Sequence, residues 1–109
     1  MKASHLLFGV ALFGVLAANA MADKATFDKN HPRRAQVNSR LGNQNARINA
    51  KEANGTMTKA QGNQLKQNDR NIRGEERSMA SQNGGHITKQ EQRTLNQQEN
   101  RNSQAIKNQ

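Results

Sequence analysis

Between residues 33 and 107 the apolar residues follow a sparse three–four rhythm. Val37, Leu41, Gln44 and Ile48 step by four, three and four, and Leu65, Ile72 and Met79 step by seven. Leu95, Gln98, Asn102 and Ala105 continue the rhythm towards the C-terminus. This spacing places a narrow stripe along one helix face, the seam of a coiled coil. Every other position on the stripe is Gln, Asn, Glu, Lys or Ala, so the seam is expected to be weak and wet. The pattern predicts an all-α chain with three helices at about 33–53, 58–83 and 88–107.

A thirty-residue repeat underlies that pattern. Residues 38–67 align with 68–97 through Asn38/Asn68, Arg40/Arg70, Arg47/Arg77, Ala50/Ala80, Gly55/Gly85, Thr58/Thr88, Lys59/Lys89, Leu65/Leu95 and Gln67/Gln97. A repeat of this length is one helix–turn–helix unit. Thr58-x-x-Gln61 and Thr88-x-x-Glu91 have the form of capping boxes, in which the Thr hydroxyl accepts an amide hydrogen bond and the N3 side chain reaches back. Gly55 and Gly84-Gly85 stand where a helix would end, because Gly adopts the left-handed conformation cheaply. Pro32 suits a first helical turn. Short connections favour antiparallel neighbours, in a short array or loose bundle. Gly42, Gly62 and Gly74 each weaken their helix by up to about 1 kcal/mol relative to Ala.

The N-terminus follows a different pattern. Lys2, an apolar run from Leu6 to Leu16, and the small-residue sites Ala18-Asn19-Ala20 and Ala20-Met21-Ala22 lay out a secretory signal peptide. The run is shorter than the roughly 20 residues a membrane span needs. Cleavage after Ala22, or alternatively Ala20, is expected to leave a periplasmic or secreted bacterial protein. Its expected parts are a disordered leader at 23–31 and a helical domain at 32–109.

Composition sharpens this picture. After residue 22 the large apolar residues are Phe27, Val37, Leu41, Ile48, Met57, Leu65, Ile72, Met79, Ile87, Leu95 and Ile106. So few core formers, with a formal charge of +9, approach the composition of disordered chains. The fold is expected to be marginal as a monomer, with a homo-oligomer or a partner supplying the rest. The chain has no Cys, which removes disulfides, thiolate metal sites and a catalytic thiol.

Positive charge edges the stripe. Arg33, Arg40 and Arg47 recur every seven residues, as do Lys59, Lys66 and Arg73, and Arg70 and Arg77. Residues 40/41, 47/48, 65/66 and 72/73 pair a cation with an apolar neighbour about 100° around the helix. The expected partner-binding surface therefore comprises Arg33, Arg40, Arg47, Lys66, Arg70, Arg73 and Arg77 with Leu41, Ile48, Leu65, Ile72 and Met79. Val37 and Leu95 extend its apolar part. A solvated face, with long side chains lying over apolar surface, is the simpler account of the same pattern.

Other chemistries fit less well. With Gly85 set at position six of a calcium loop, Ile87 falls at eight and Glu91 at twelve, but positions one, three and five are Ala80, Gln82 and Gly84. The first repeat offers Ala50, Glu52, Asn54 and Gln61. A degenerate EF-hand-like calcium module is therefore an alternative with too few carboxylates. His31 and His86 lack a second ligand at useful spacing. Ser39, Ser78, Ser81 and Ser103 have no visible His/Asp constellation, and adjacent Glu75 and Glu76 diverge on a helix. Neither an enzyme nor a cofactor is expected. Specific nucleic-acid binding is not expected, because base stacking needs aromatics and Phe27 is the only one after residue 22.

Met57-Thr58-Lys59-Ala60-Gln61 and Ile87-Thr88-Lys89-Gln90-Glu91 resemble the paired Leu-Thr-x-x-Gln motifs of the Spy/CpxP family, with Met57 and Ile87 in place of Leu and Glu91 in place of Gln. That family comprises small, exported, helical, basic envelope-stress proteins, some of them ATP-independent chaperones. His31-Pro32-Arg33-Arg34 and the 83–88 segment also resemble small exported proteobacterial proteins of unassigned function. The basic-edged apolar stripe leads to the expectation of a non-catalytic envelope protein that binds other macromolecules, such as unfolded or acidic polypeptides, in a chaperone-like way. A polyanion or membrane-surface binder, taking lipopolysaccharide or anionic lipid, is the electrostatic alternative.

Overall fold

A computed structural model describes residues 23–109; the signal-peptide expectation lies outside the described residues. These contain four helices and no strand. Residues 23–30 form α1, Pro32–Ala53 form α2, Lys59–Gln82 form α3 and Lys89–Lys107 form α4. The expected disordered leader is thus helical up to Asn30. Lys24 donates to Asp28 at 2.7 Å across one turn, the spacing that supports an exposed helix. His31 breaks the helix, with φ −133° and ψ 64°, because a residue before proline is disfavoured in the helical region. The described residues divide into two compact units between Asn30 and His31.

The second unit is a closed three-helix bundle, more compact than an open array, in which every helix packs on the other two. Arg33, Arg40, Arg47 and Lys51 of α2 reach Ile87, Asn96, Ser103 and Ile106 in rising order, so α2 and α4 run parallel. Arg34 pairs with Glu76, and Lys66 with Glu52, in opposite order; α3 runs antiparallel to α2.

Local sequence sets each boundary. Thr58 Oγ1 accepts from Gln61 N at 3.1 Å while Thr58 N donates to Gln61 Oε1 at 2.8 Å. Thr88 and Glu91 repeat both bonds at the same distances, so each family-like motif also serves as a reciprocal helix cap. The helix ends close through left-handed glycines. Gly55 has φ 82°, and Thr56 N donates to Lys51 O at 3.0 Å while Gly55 N donates to Glu52 O at 3.3 Å, a Schellman motif. At the second end Gly84 has φ 65° and Gly85 N donates to Ala80 O at 2.8 Å. The structural counterpart of Gly55 is therefore Gly84, one residue from the repeat alignment.

The core lies in two apolar clusters. Val37, Leu41, Ile72, Ala80, Ile87 and Leu95 fill one, with Met79 against them. Ile48, Met57, Leu65 and Ile106 fill the other, with Ala105 alongside. The buried positions of α4 are Leu95, Glu99, Asn102 and Ile106. This corrects the expected stripe on that helix: Gln98 and Ala105 flank the seam and are half-buried.

The interior glycines differ in what surrounds them. An added Cβ at Gly42 or Gly74 meets nothing, whereas at Gly62 it overlaps the Glu52 carboxylate. Gly42→Ala and Gly74→Ala should each stabilise the bundle by about 1 kcal/mol. Gly62→Ala should gain much less, because it displaces a side chain paired with Lys66. Urea melts of the three variants check this order.

Candidate functional site

A polar layer separates the two apolar clusters. Gln44, Asp69, Glu99 and Asn102 occupy consecutive seam levels and are at most 5% exposed. Gln44 Nε2 donates to Glu99 O at 2.8 Å. The Asn102 amide donates towards Asp69 Oδ1 at 2.9 Å, and towards Gln44 Oε1 and Leu65 O at 3.2 Å. Asn68 Nδ2 donates to Asn102 Oδ1 at 2.9 Å. One amide thus ties all three helices at one level.

The acids in and near this layer are unequally matched. Glu76 is 1% exposed and pairs with Arg34 Nε at 2.9 Å. Glu99 is fully buried, and its nearest cation is Arg40 at 3.6 Å from Oε1, too long for a hydrogen bond. Neither Glu99 oxygen nor Asp69 Oδ2 has a hydrogen-bond partner. Burial pushes the Glu99 carboxyl up to about 7; Arg40 opposes the rise, while Asp69 and Glu76 add to it. Burial likewise pushes Asp69 up to about 6, against the Asn102 bond and the charge of Arg73. Both shifts follow from the cost of moving a charge out of water.

The expected basic edge has a structural part and a surface part. Arg33 donates to Ile87 O at 3.2 Å, Arg40 to Asn96 Oδ1 at 3.2 Å and Asn100 Oδ1 at 2.5 Å, and Arg47 to Ser103 Oγ at 2.7 Å. These three arginines, spaced by seven residues, clasp α2 to α4. Lys51 extends the clasp, donating to Ile106 O at 2.7 Å and placing positive charge at the carbonyl end of α4. Lys66 pairs with Glu52 at 3.3 Å, and Arg70 donates to Gln67 Oε1 at 2.8 Å. Arg73 is half-buried; Arg70 and Arg77 are exposed.

The apolar part of the expected surface is core. Leu41, Ile48, Leu65 and Ile72 are buried, as are Val37 and Leu95, and Met79 packs half-buried against the first cluster. In the closed bundle these side chains meet one another, so an outside partner reaches them only if the helices separate. The stripe pattern alone carries no information on whether a seam faces its own chain or another.

What remains outside is one-sided in charge. Arg47, Lys59, Arg70, Arg77, Lys89, Arg93, Arg101 and Lys107 are exposed, whereas Glu75 is the bundle's only exposed carboxylate among the described residues. A groove of about 640 Å³ runs between α3 and α4, lined by Asn68, Arg70, Asn71, Glu75, Gln98 and Arg101, with Ile72 and Ala105 beneath. Arg101 was missed on the sequence. Its signal was the register of the α3–α4 hairpin, which sets Asn68 on Asn102 and brings Arg101 to the groove with Arg70.

Among the described residues no group of three or more His, Cys, Asp or Glu is placed to hold a metal. Gln61 and Glu91, the twelfth positions of the calcium alternative, are engaged as helix caps. His31 and His86 stack at 4.7 Å. No described helix is long and apolar enough to cross a membrane. The fold and surface together define a small three-helix bundle with acids inside and cations outside. Comparison with family models, curated proteins and solved structures finds no match for the chain.

Arg34 tests how far the buried acids depend on their cations. Arg34→Ala strands Glu76 and should lower stability by roughly 2–4 kcal/mol. Adding Glu76→Gln should recover a substantial part, read from urea midpoints of the single and double variants.

Proposed function

We propose that the protein is a non-catalytic exported envelope protein that binds anionic surfaces, such as lipopolysaccharide or acidic phospholipid, through the cationic exterior of its bundle. The single observation that carries this reading is the partition of charge: eight exposed Lys and Arg side chains face one exposed carboxylate among the bundle's described residues. Clustered charge of one sign attracts a polyanion over several ångströms and steers its approach. Arg70 and Arg101 at the α3–α4 groove offer the forked donors that suit phosphate oxygens, and Asn68, Asn71 and Gln98 add amide groups beside them. Export and an envelope location rest on the leader pattern at residues 1–22.

A chaperone-like role towards unfolded polypeptides is the second reading. It draws on the Spy/CpxP-like motifs and on the polar layer, which makes the seam a poor permanent seal. It requires the apolar side chains of α2, α3 and α4 to come to the surface.

Co-sedimentation of the protein with vesicles containing acidic phospholipid, across a sodium chloride series, tests the first reading. Binding should be strong at low salt and lost at high salt. Arg70→Glu with Arg101→Glu should weaken it at least about tenfold, since each exchange replaces attraction by repulsion. Equal binding to neutral and acidic vesicles, or no effect of charge reversal, would sink the reading. Slowed aggregation of unfolded clients without vesicle binding would favour the second.

A further inference from the structure

We propose that the buried carboxylate layer is a proton-operated latch: protonation of Glu99 and Asp69 holds the three helices closed, and their ionisation drives α3 and α4 apart to expose the apolar seam. The inference concerns the bundle's own conformational equilibrium and does not depend on what the cationic surface binds.

The geometric basis is a shortage of hydrogen-bond donors. Among the described residues, the buried side-chain atoms without a hydrogen-bond partner are Glu52 Oε2, Asp69 Oδ2, Gln98 Oε1 and both oxygens of Glu99. All are acceptors, and four belong to carboxylates. A proton on Glu99 or Asp69 removes a buried charge and adds the kind of donor that is missing. An ionised carboxylate held there without donors is strongly unfavourable.

The cations around the layer offset its burial only in part. From α2, Arg34 is engaged with Glu76, and Arg40 stays 3.6 Å from Glu99 while donating to Asn96 and Asn100. From α3, Asp69, Glu76 and Arg73 act on the layer, and α4 contributes Glu99 itself. Ionising Glu99 and Asp69 sets two like charges on α3 and α4 within a medium that screens them poorly. The layer also lies between two apolar clusters of six and four buried residues.

The sign is opposite to the usual behaviour of carboxylates. Their closed-state values, about 6 for Asp69 and about 7 for Glu99, lie above the ordinary values of 3.8 and 4.5. The closed bundle therefore takes up protons that the open chain releases. Protons favour closure, and the advantage fades as pH rises from about 4 towards 7. The bundle should be tighter at pH 5 than at pH 8.

Hydrogen exchange of the whole protein, expressed as protection factors to remove the intrinsic effect of pH, reads this directly. Protection of core amides in α3 and α4 should fall at least about tenfold between pH 5 and pH 8, with a parallel rise in binding of an apolar dye. Glu99→Gln and Asp69→Asn should each flatten the dependence. Protection that is constant or rises with pH, or an equal fall in Glu99→Gln, would overturn the latch. A carbon-13 titration of the wild-type Glu99 carboxyl gives an answer that needs no variant. A transition near neutrality supports the proposal, and one near the ordinary carboxylate value refutes it.

Discussion

A band of buried acceptors crosses the middle of the helix seam, and the bundle is built around it. Asp69, Glu99, Gln44 and Asn102 sit where a coiled-coil seam would carry Leu or Ile. Asn102 bonds to groups of α2 and α3 from its place on α4. Sliding one helix by a heptad would move the layer's polar groups against apolar side chains. The layer thus specifies one register at a cost in stability, as single polar seam residues do in other coiled coils. The arginines of α2 complete the arrangement. Arg34 satisfies Glu76, and Arg40, with Arg33, Arg47 and Lys51, ties α2 to α4.

That arrangement shapes the exterior as well. Six carboxylates stand in the bundle, and three of them, Asp69, Glu76 and Glu99, are buried. Glu52 and Glu91 are half-buried, one paired with Lys66 and the other spent in a cap. Acids drawn into the interior leave the surface cations largely uncompensated. Eight exposed cations then stand with one exposed carboxylate among the bundle's described residues, a surface charge almost wholly of one sign. The buried layer and the proposed anionic partner are two consequences of the same partition.

Much of the fold was legible because its signals are local. Thr58/Gln61 and Thr88/Glu91 satisfy their own helix starts, and Gly55 and Gly84 take backbone angles that other residues avoid, so neither feature needs a distant partner. Val37, Leu41, Gln44 and Ile48 mark the buried side of α2 by spacing alone. The α1 helix escaped notice because it has no apolar rhythm, only an ion pair across one turn. On α4 the buried stripe runs through Leu95, Glu99, Asn102 and Ile106 rather than Leu95, Gln98, Asn102 and Ala105. Lone glutamates seldom lie inside, and only contact with α2 and α3 reveals this one.

The sequence by itself determined the three helices of the bundle, their ends, the sparse seam and the excess of positive charge. Tertiary structure alone decided that the seam closes on its own chain and that Arg33, Arg40 and Arg47 donate hydrogen bonds across to the α4 side. It also decided that Asp69, Glu76 and Glu99 go inside. The physical reason is range. Caps, turns and helical periodicity act within a few residues, whereas burial and the strength of a charge depend on what the opposite helix brings near.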